Sequence, residues 1–148
     1  MRGLVAGLVG VLVLLAAGCG GGGSDTRLCR EEFESQANAI CAKYQKQLDA
    51  IGTPSSVEEI PDLVEQALAI LNKEVAEIAA LNPPADMQTE FDAMIEASNN
   101  TKAAANDLSQ AAKDGDQAAV QKALDEGNAA SKKADQIATQ LGLDSCKG

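Results

Sequence analysis

The sequence predicts an all-α fold, an antiparallel up-down-up-down four-helix bundle carried behind a signal peptide and a Gly-rich tether. Two compositional facts and one pattern point there. Aromatic residues are 2% of the chain and Trp is absent, and β-branched residues are too sparse to pave strands, whereas the helix formers Ala, Leu, Glu, Gln and Lys dominate. From Thr26 to Leu141 apolar residues recur at steps of three and four, which lines one face of a helix. Turn residues interrupt that pattern at regular intervals, and 148 residues is the length of one domain.

The chain opens with Arg2, an apolar run from Leu4 to Ala17, and the small residues Ala16-Ala17-Gly18 before Cys19. These are the three parts of a secretory signal. The run is shorter than the roughly 20 residues that span a bilayer. Small residues directly before a cysteine resemble the bacterial lipobox, in which that cysteine is acylated on sulfur and becomes the new N-terminus, although Leu15 stands one place further back than the usual leucine. Residues 1–18 are thus read as a lipoprotein signal peptide, and 19–25 as a lipidated Cys19 with its GGGGS linker, a flexible coil that holds a domain clear of a membrane. Residues 26–148 are the four-helix domain.

In the first helical segment Phe33, Ala37, Ile40, Tyr44, Leu48 and Ile51 form the stripe, and Gly52-Thr53-Pro54 ends it. Ser56 with Glu59 three places on is a capping-box pattern for the second segment, whose stripe runs Ile60, Val64, Ala67, Leu71, Val75, Ile78 to the stop at Asn82-Pro83-Pro84. Asp86 is placed to cap the third segment, with Met87, Phe91, Met94, Ile95, Ala105, Leu108 and Ala112 inward. At Asp114-Gly115-Asp116 the glycine suits the left-handed position after a helix, and Asp116 suits the next N-cap. The fourth segment carries Val120, Ala123, Leu124, Gly127, Ala130, Ala134, Ile137 and Leu141, and Gly142 closes it. Short loops between segments of similar length favour antiparallel neighbours. Where Ser98, Thr101 and Ala105 face Gly127, Ala130 and Ala134, either the backbones approach closely or a cavity remains, and close packing is the expected outcome.

Charge and inventory exclude several functions. A formal charge of −10 repels nucleic acid, and no basic patch offsets it. The absence of His removes the commonest general base and metal ligand. Glu58, Asp62 and Glu65 share a helical face, but at a helix start, where acids complement the dipole and face solvent. Cys29, Cys41 and Cys146, even with Met87 or Met94, lack the close pairing of thiolate metal sites. No catalytic residue, metal or cofactor is assigned. Cysteines in an exported chain are better read as disulfide partners. Cys29 and Cys41 are twelve residues apart on one helix, about 18 Å at the helical rise, and so cannot pair with each other. Cys146 must take one of them, and helix geometry alone leans to Cys29, the nearer to the bundle end where the fourth helix finishes.

Phe33, Ala37-Asn38-Ala39-Ile40-Cys41, Pro83-Pro84, Phe91-Asp92, Asp114-Gly115-Asp116 and Leu141-Gly142-Leu143 with Cys146 together resemble a group of small exported helical-bundle lipoproteins of actinobacteria and related bacteria. The resemblance spans nearly the whole exported domain. It implies a helical bundle, export, and a disulfide between Cys41 and Cys146, with the tail folding back along the first helix and Leu143 tucked inward. Cys29 is an addition to that pattern, read as a free or alternative thiol. The resemblance implies nothing about a substrate.

The functional expectation is a non-enzymatic lipoprotein, held on the extracytoplasmic face of the cell membrane by lipid on Cys19, that contacts an envelope protein or a small ligand. Its alternative is a structural spacer with no specific ligand. A cavity between the third and fourth helices, lined by Ser98, Thr101 and Asn side chains, would favour binding. A dry, Ala-packed seam would favour the spacer.

Overall fold

A computed structural model describes residues 26–148, which hold four α-helices and no strand. The segment read as a signal peptide, Cys19 and the GGGGS linker lie outside the described residues. The helices are α1 (Arg30–Asp49), α2 (Ile60–Ala79), α3 (Gln88–Asp114) and α4 (Gln117–Gln140). Single 3-10 turns precede α2 (Val57–Glu59) and α3 (Ala85–Met87), and a third forms the C-terminal tail (Asp144–Cys146). Among the described residues no helix is long and apolar enough to cross a membrane.

Local chemistry accounts for most boundaries. Gly115 ends α3 at φ 66°, with Asp116 N–H bonding Ala111 O and Gly115 N–H bonding Ala112 O, which returns two orphan carbonyls to the ladder. One residue on, the Asp116 carboxylate accepts from Ala119 N–H at 3.0 Å and starts α4. Gly142, at φ 72°, closes α4 in the same way, as Leu143 N–H reaches Ala138 O.

Two caps form differently from the sequence reading. Asp86 caps nothing, because the chain makes a 3-10 turn from Pro84 first, and its carboxylate pairs with Arg30 at 3.2 Å. Ser56 makes no capping bond either, and Glu59 accepts from Ser55 N–H at 2.7 Å rather than from Ser56. In both places the extra turn moves the start of the α-helix beyond the residue that would have capped it.

The densest packing surrounds the start of α1. Phe33, Cys41, Met87, Phe91, Met94, Leu141 and Leu143 are all buried there, with Phe33 and Phe91 edge to face at 5.5 Å between ring centres. Leu28 N–H donates to Asn82 O at 2.8 Å and Arg27 donates to Pro83 O, tying the domain's first residues to the α2–α3 loop. Further along α1, Lys43 and the Tyr44 hydroxyl both donate to the Glu77 carboxylate on α2. Lys43 first and Tyr44 second hold that carboxyl below its usual range.

The longest interface joins α3 to α4. Buried alanines on α3 are Ala97, Ala104 and Ala111, while the expected Ala105, Leu108 and Ala112 are only partly buried. The seven-residue spacing of these alanines places small side chains on one face, where two helices can approach closely. On α4 Ala123 and Ala138 are buried, while Leu124, placed in the stripe by periodicity, is 40% exposed.

Candidate functional site

A cavity of about 280 Å³, partly open to solvent, lies where all four helices and the tail converge. Helical spacing builds its walls. From α1 come Cys41, Gln45 and Leu48, and from α2 come Leu71, Glu74, Val75 and Ile78. Met94, Ile95, Ser98 and Thr101 face it from α3, and Ser131, Ala134 and Asp135 from α4. Within each helix these residues follow steps of three and four, so each helix turns one stripe toward the same space. The space persists because two helices line it with short side chains: Ser98 and Thr101 on α3, Ser131 and Ala134 on α4. A Leu at any of those positions would reach across it.

Close approach and an open space both occur along the α3–α4 contact, at different heights. Near Gly127 the helices are close enough that an added Cβ would meet Ala104 Cβ at 3.5 Å, ordinary van der Waals contact. About one to two helical turns further, Ser98, Thr101, Ser131 and Ala134 line the cavity. Ser98 and Thr101 therefore line it as expected, but it belongs to all four helices. The Asn side chains are elsewhere, since Asn99 and Asn100 border a separate groove with Phe91 and Asp92.

The two hydroxyls of the α3 wall are already committed. Ser98 Oγ donates to Met94 O at 2.9 Å and Thr101 Oγ1 donates to Ala97 O at 3.2 Å, so both hydroxyl protons are engaged by their own helix. Glu74 is half-buried, and burial pushes its carboxyl up to about 7. Desolvation is the cause, and among the described residues no cation or donor offsets it. Asp135 accepts from Gly148 N–H at 3.2 Å. No Lys or Arg lines the cavity.

The tail supplies the last wall, and Asn38 sets its path. Its side-chain amide donates to Glu34 O and Gly142 O, and its Oδ1 accepts from Ser145 N–H at 2.8 Å. One mid-helix Asn thus grips the tail at two points and buries Leu143 completely. The tail runs back along α1 until Cys146 meets Cys41, with a disulfide between them and 4.9 Å between their Cα atoms. This is the pairing that the family resemblance implied, and not the Cys29–Cys146 bond favoured by helix geometry alone. Cys29, the free or alternative thiol of the sequence reading, is not the partner of Cys146. Cys41 and Cys146 are joined to each other and so are unavailable as thiolate ligands.

Glu58, Asp62 and Glu65 remain exposed at the start of α2. Glu74, Ser131 and Asp135 are additions that sequence reasoning does not single out, although one signal is legible. Glu74 stands three after Leu71 and four before Ile78, a charge set inside the apolar stripe. No family model, curated protein or solved structure matches this chain.

Proposed function

We propose that this protein is a membrane-tethered extracytoplasmic lipoprotein, non-enzymatic, whose bundle binds a small and largely apolar ligand. The observation that carries the reading is the cavity, about 280 Å³ and walled by Leu48, Leu71, Val75, Ile78 and Met94 with a few convergent polar groups. That places it at the lower edge of the roughly 300–1,000 Å³ typical of small-molecule sites. A spacer needs no such space, since close packing would stabilise it further. Tethering rests on the sequence before residue 26: the apolar run, the small residues before Cys19, and the linker.

An up-down-up-down arrangement of the bundle belongs to the same proposal. Its support is the pairing of residues along neighbouring helices. Lys102 of α3 reaches Asn72 of α2, whereas the earlier Met94 shares the cavity wall with the later Ile78, and Ala104 of α3 stands opposite Gly127 of α4. Each of these pairs is balanced about the intervening loop, as antiparallel neighbours require.

The test is native mass spectrometry of the full chain recovered from its own membrane. Wild type should carry a small adduct that Ala134→Leu, which fills the cavity, lacks. Identical adduct-free spectra for both would return the reading to a spacer. For the anchor, Cys19→Ser should release the protein from the membrane fraction, and a correctly cleaved Ser variant that stayed bound would refute it.

A further inference from the structure

We infer that the cavity selects small organic cations: a protonated amine carried on an apolar body, with the ammonium group against Glu74 and the body against Leu71, Val75 and Ile78. This rests on the ligand-binding reading above and names the class of ligand.

The first argument is the charge facing the space, element by element. The α1 wall presents Gln45 and no ionisable group, α2 presents Glu74, α3 the hydroxyls of Ser98 and Thr101, and α4 Ser131 and Asp135. The tail adds Ser145, Cys146 and Gly148. Two carboxylates therefore face the cavity and no basic side chain does. Lys43 on α1 and Lys102 on α3 direct their ammonium groups to Glu77 and Asn72 instead. A partly desolvated carboxylate without a partner is costly, and a bound cation removes that cost.

The second argument is hydrogen-bond polarity. The protons of Ser98 and Thr101 are held by Met94 O and Ala97 O, and the Gln45 amide donates to Asp49 at 2.8 Å. Ser98 and Thr101 are therefore left to offer a ligand their acceptor oxygens, while Ser131 and Ser145 can donate or accept. An ammonium group, all donors and no acceptors, complements the Ser98 and Thr101 oxygens and the Glu74 carboxylate, whereas a carboxylate ligand would meet like charge. Fatty acids and other anionic amphiphiles are disfavoured by the two carboxylates.

A head-group series on one apolar body provides the test. The full chain in mild detergent is titrated calorimetrically with hexylammonium, hexanol and hexanoate, each against a detergent-only blank. At pH 8 hexylammonium should bind at least about tenfold more tightly than hexanol, and hexanoate should not bind. Its affinity should rise between pH 5.5 and 8.5, because Glu74, held at about 7, must lose its proton to pair with the ligand. Near pH 7 each binding event should release about half a proton, read from the dependence of heat on buffer ionisation. In Glu74→Gln the preference for ammonium over alcohol should fall to within about twofold, with circular dichroism confirming the fold. Equal affinity of the wild type for hexylammonium and hexanol would overturn the cation inference and leave the cavity as a binding site. Tighter binding of hexanoate would overturn it too. If none of the three binds, the ligand-binding reading falls, and this inference with it.

Discussion

Two regions of the bundle are packed on opposite principles. Around the start of α1, large side chains from three helices, the α2–α3 loop and the tail fill the interior: Phe33 and Leu143 are fully buried and Leu141 nearly so. Toward the α3–α4 turn, burial falls to Ala104, Ala111 and Ala123, while Leu124 stays in solvent. Where several elements converge, the space between them is wide and takes aromatic and long aliphatic side chains. Where two helices run alone, proximity is gained by removing side chains. The cavity occupies the transition between the two, where α3 and α4 still carry the short residues of a close seam.

The largest expected effect lies at the dense end. Replacing both Cys41 and Cys146 by Ala opens a disulfide that spans 105 residues. In the chain-entropy model this lowers stability by about 4 to 5 kcal/mol, visible as a lower urea midpoint. A loss under about 1 kcal/mol would mean that Asn38 and Leu143 hold the tail unaided. Phe91→Ala should cost about 3 to 5 kcal/mol, because Phe91 is buried and packs edge to face on Phe33. Leu124→Ala, at the other end, should stay within about 0.5 kcal/mol. Similar losses at both sites would erase the contrast between the regions.

At the transition the effect depends on pH. Glu74 has a folded-state pKa of about 7, above the ordinary 4.5. The fold therefore favours its neutral form, no penalty exists below about pH 4, and the penalty grows through about pH 4.5 to 7 and is complete above that. Glu74→Gln should thus stabilise the domain at pH 8 by about 1 to 2 kcal/mol, a figure already reduced for its partial exposure to solvent, and leave it unchanged near pH 4. Thermal melts of both proteins across that range check it. Equal melting temperatures at pH 8 would mean that the carboxylate is well solvated.

The smallest effect probes the seam itself. Gly127→Ala should stabilise by about 0.5 to 1 kcal/mol, since the helix interior disfavours Gly and the new methyl meets Ala104 at contact distance. A destabilised variant would show that the helices approach more closely than 3.5 Å between Cβ positions allows.

How much is legible from the residues alone varies with the range of the interaction. Helix number, the glycine stops at Gly115 and Gly142, and the Asp116 cap depend on neighbours within five residues, and all can be read locally. Asp86, freed from its expected role as a cap by the 3-10 turn, pairs instead with Arg30, 56 residues away. Ser98 and Thr101 are legible as cavity-lining from their size and polarity. Glu74 escapes any search for periodicity among apolar residues alone. A charge within a stripe is a sequence signal, but its partner-free setting depends on residues of four separate segments.

Spacing, turn chemistry and composition are thus enough to make this chain helical, to stop each helix where it stops, and to give the domain its acidic surface. Which alanines form the seam, which cysteine Cys146 meets, and whether short residues on two helices leave a cavity facing Glu74 are settled only when the helices pack. Each of those outcomes depends on distances between segments far apart in the chain. A one-residue change in helix register turns a side chain by about 100°, and nothing in local sequence fixes that rotation.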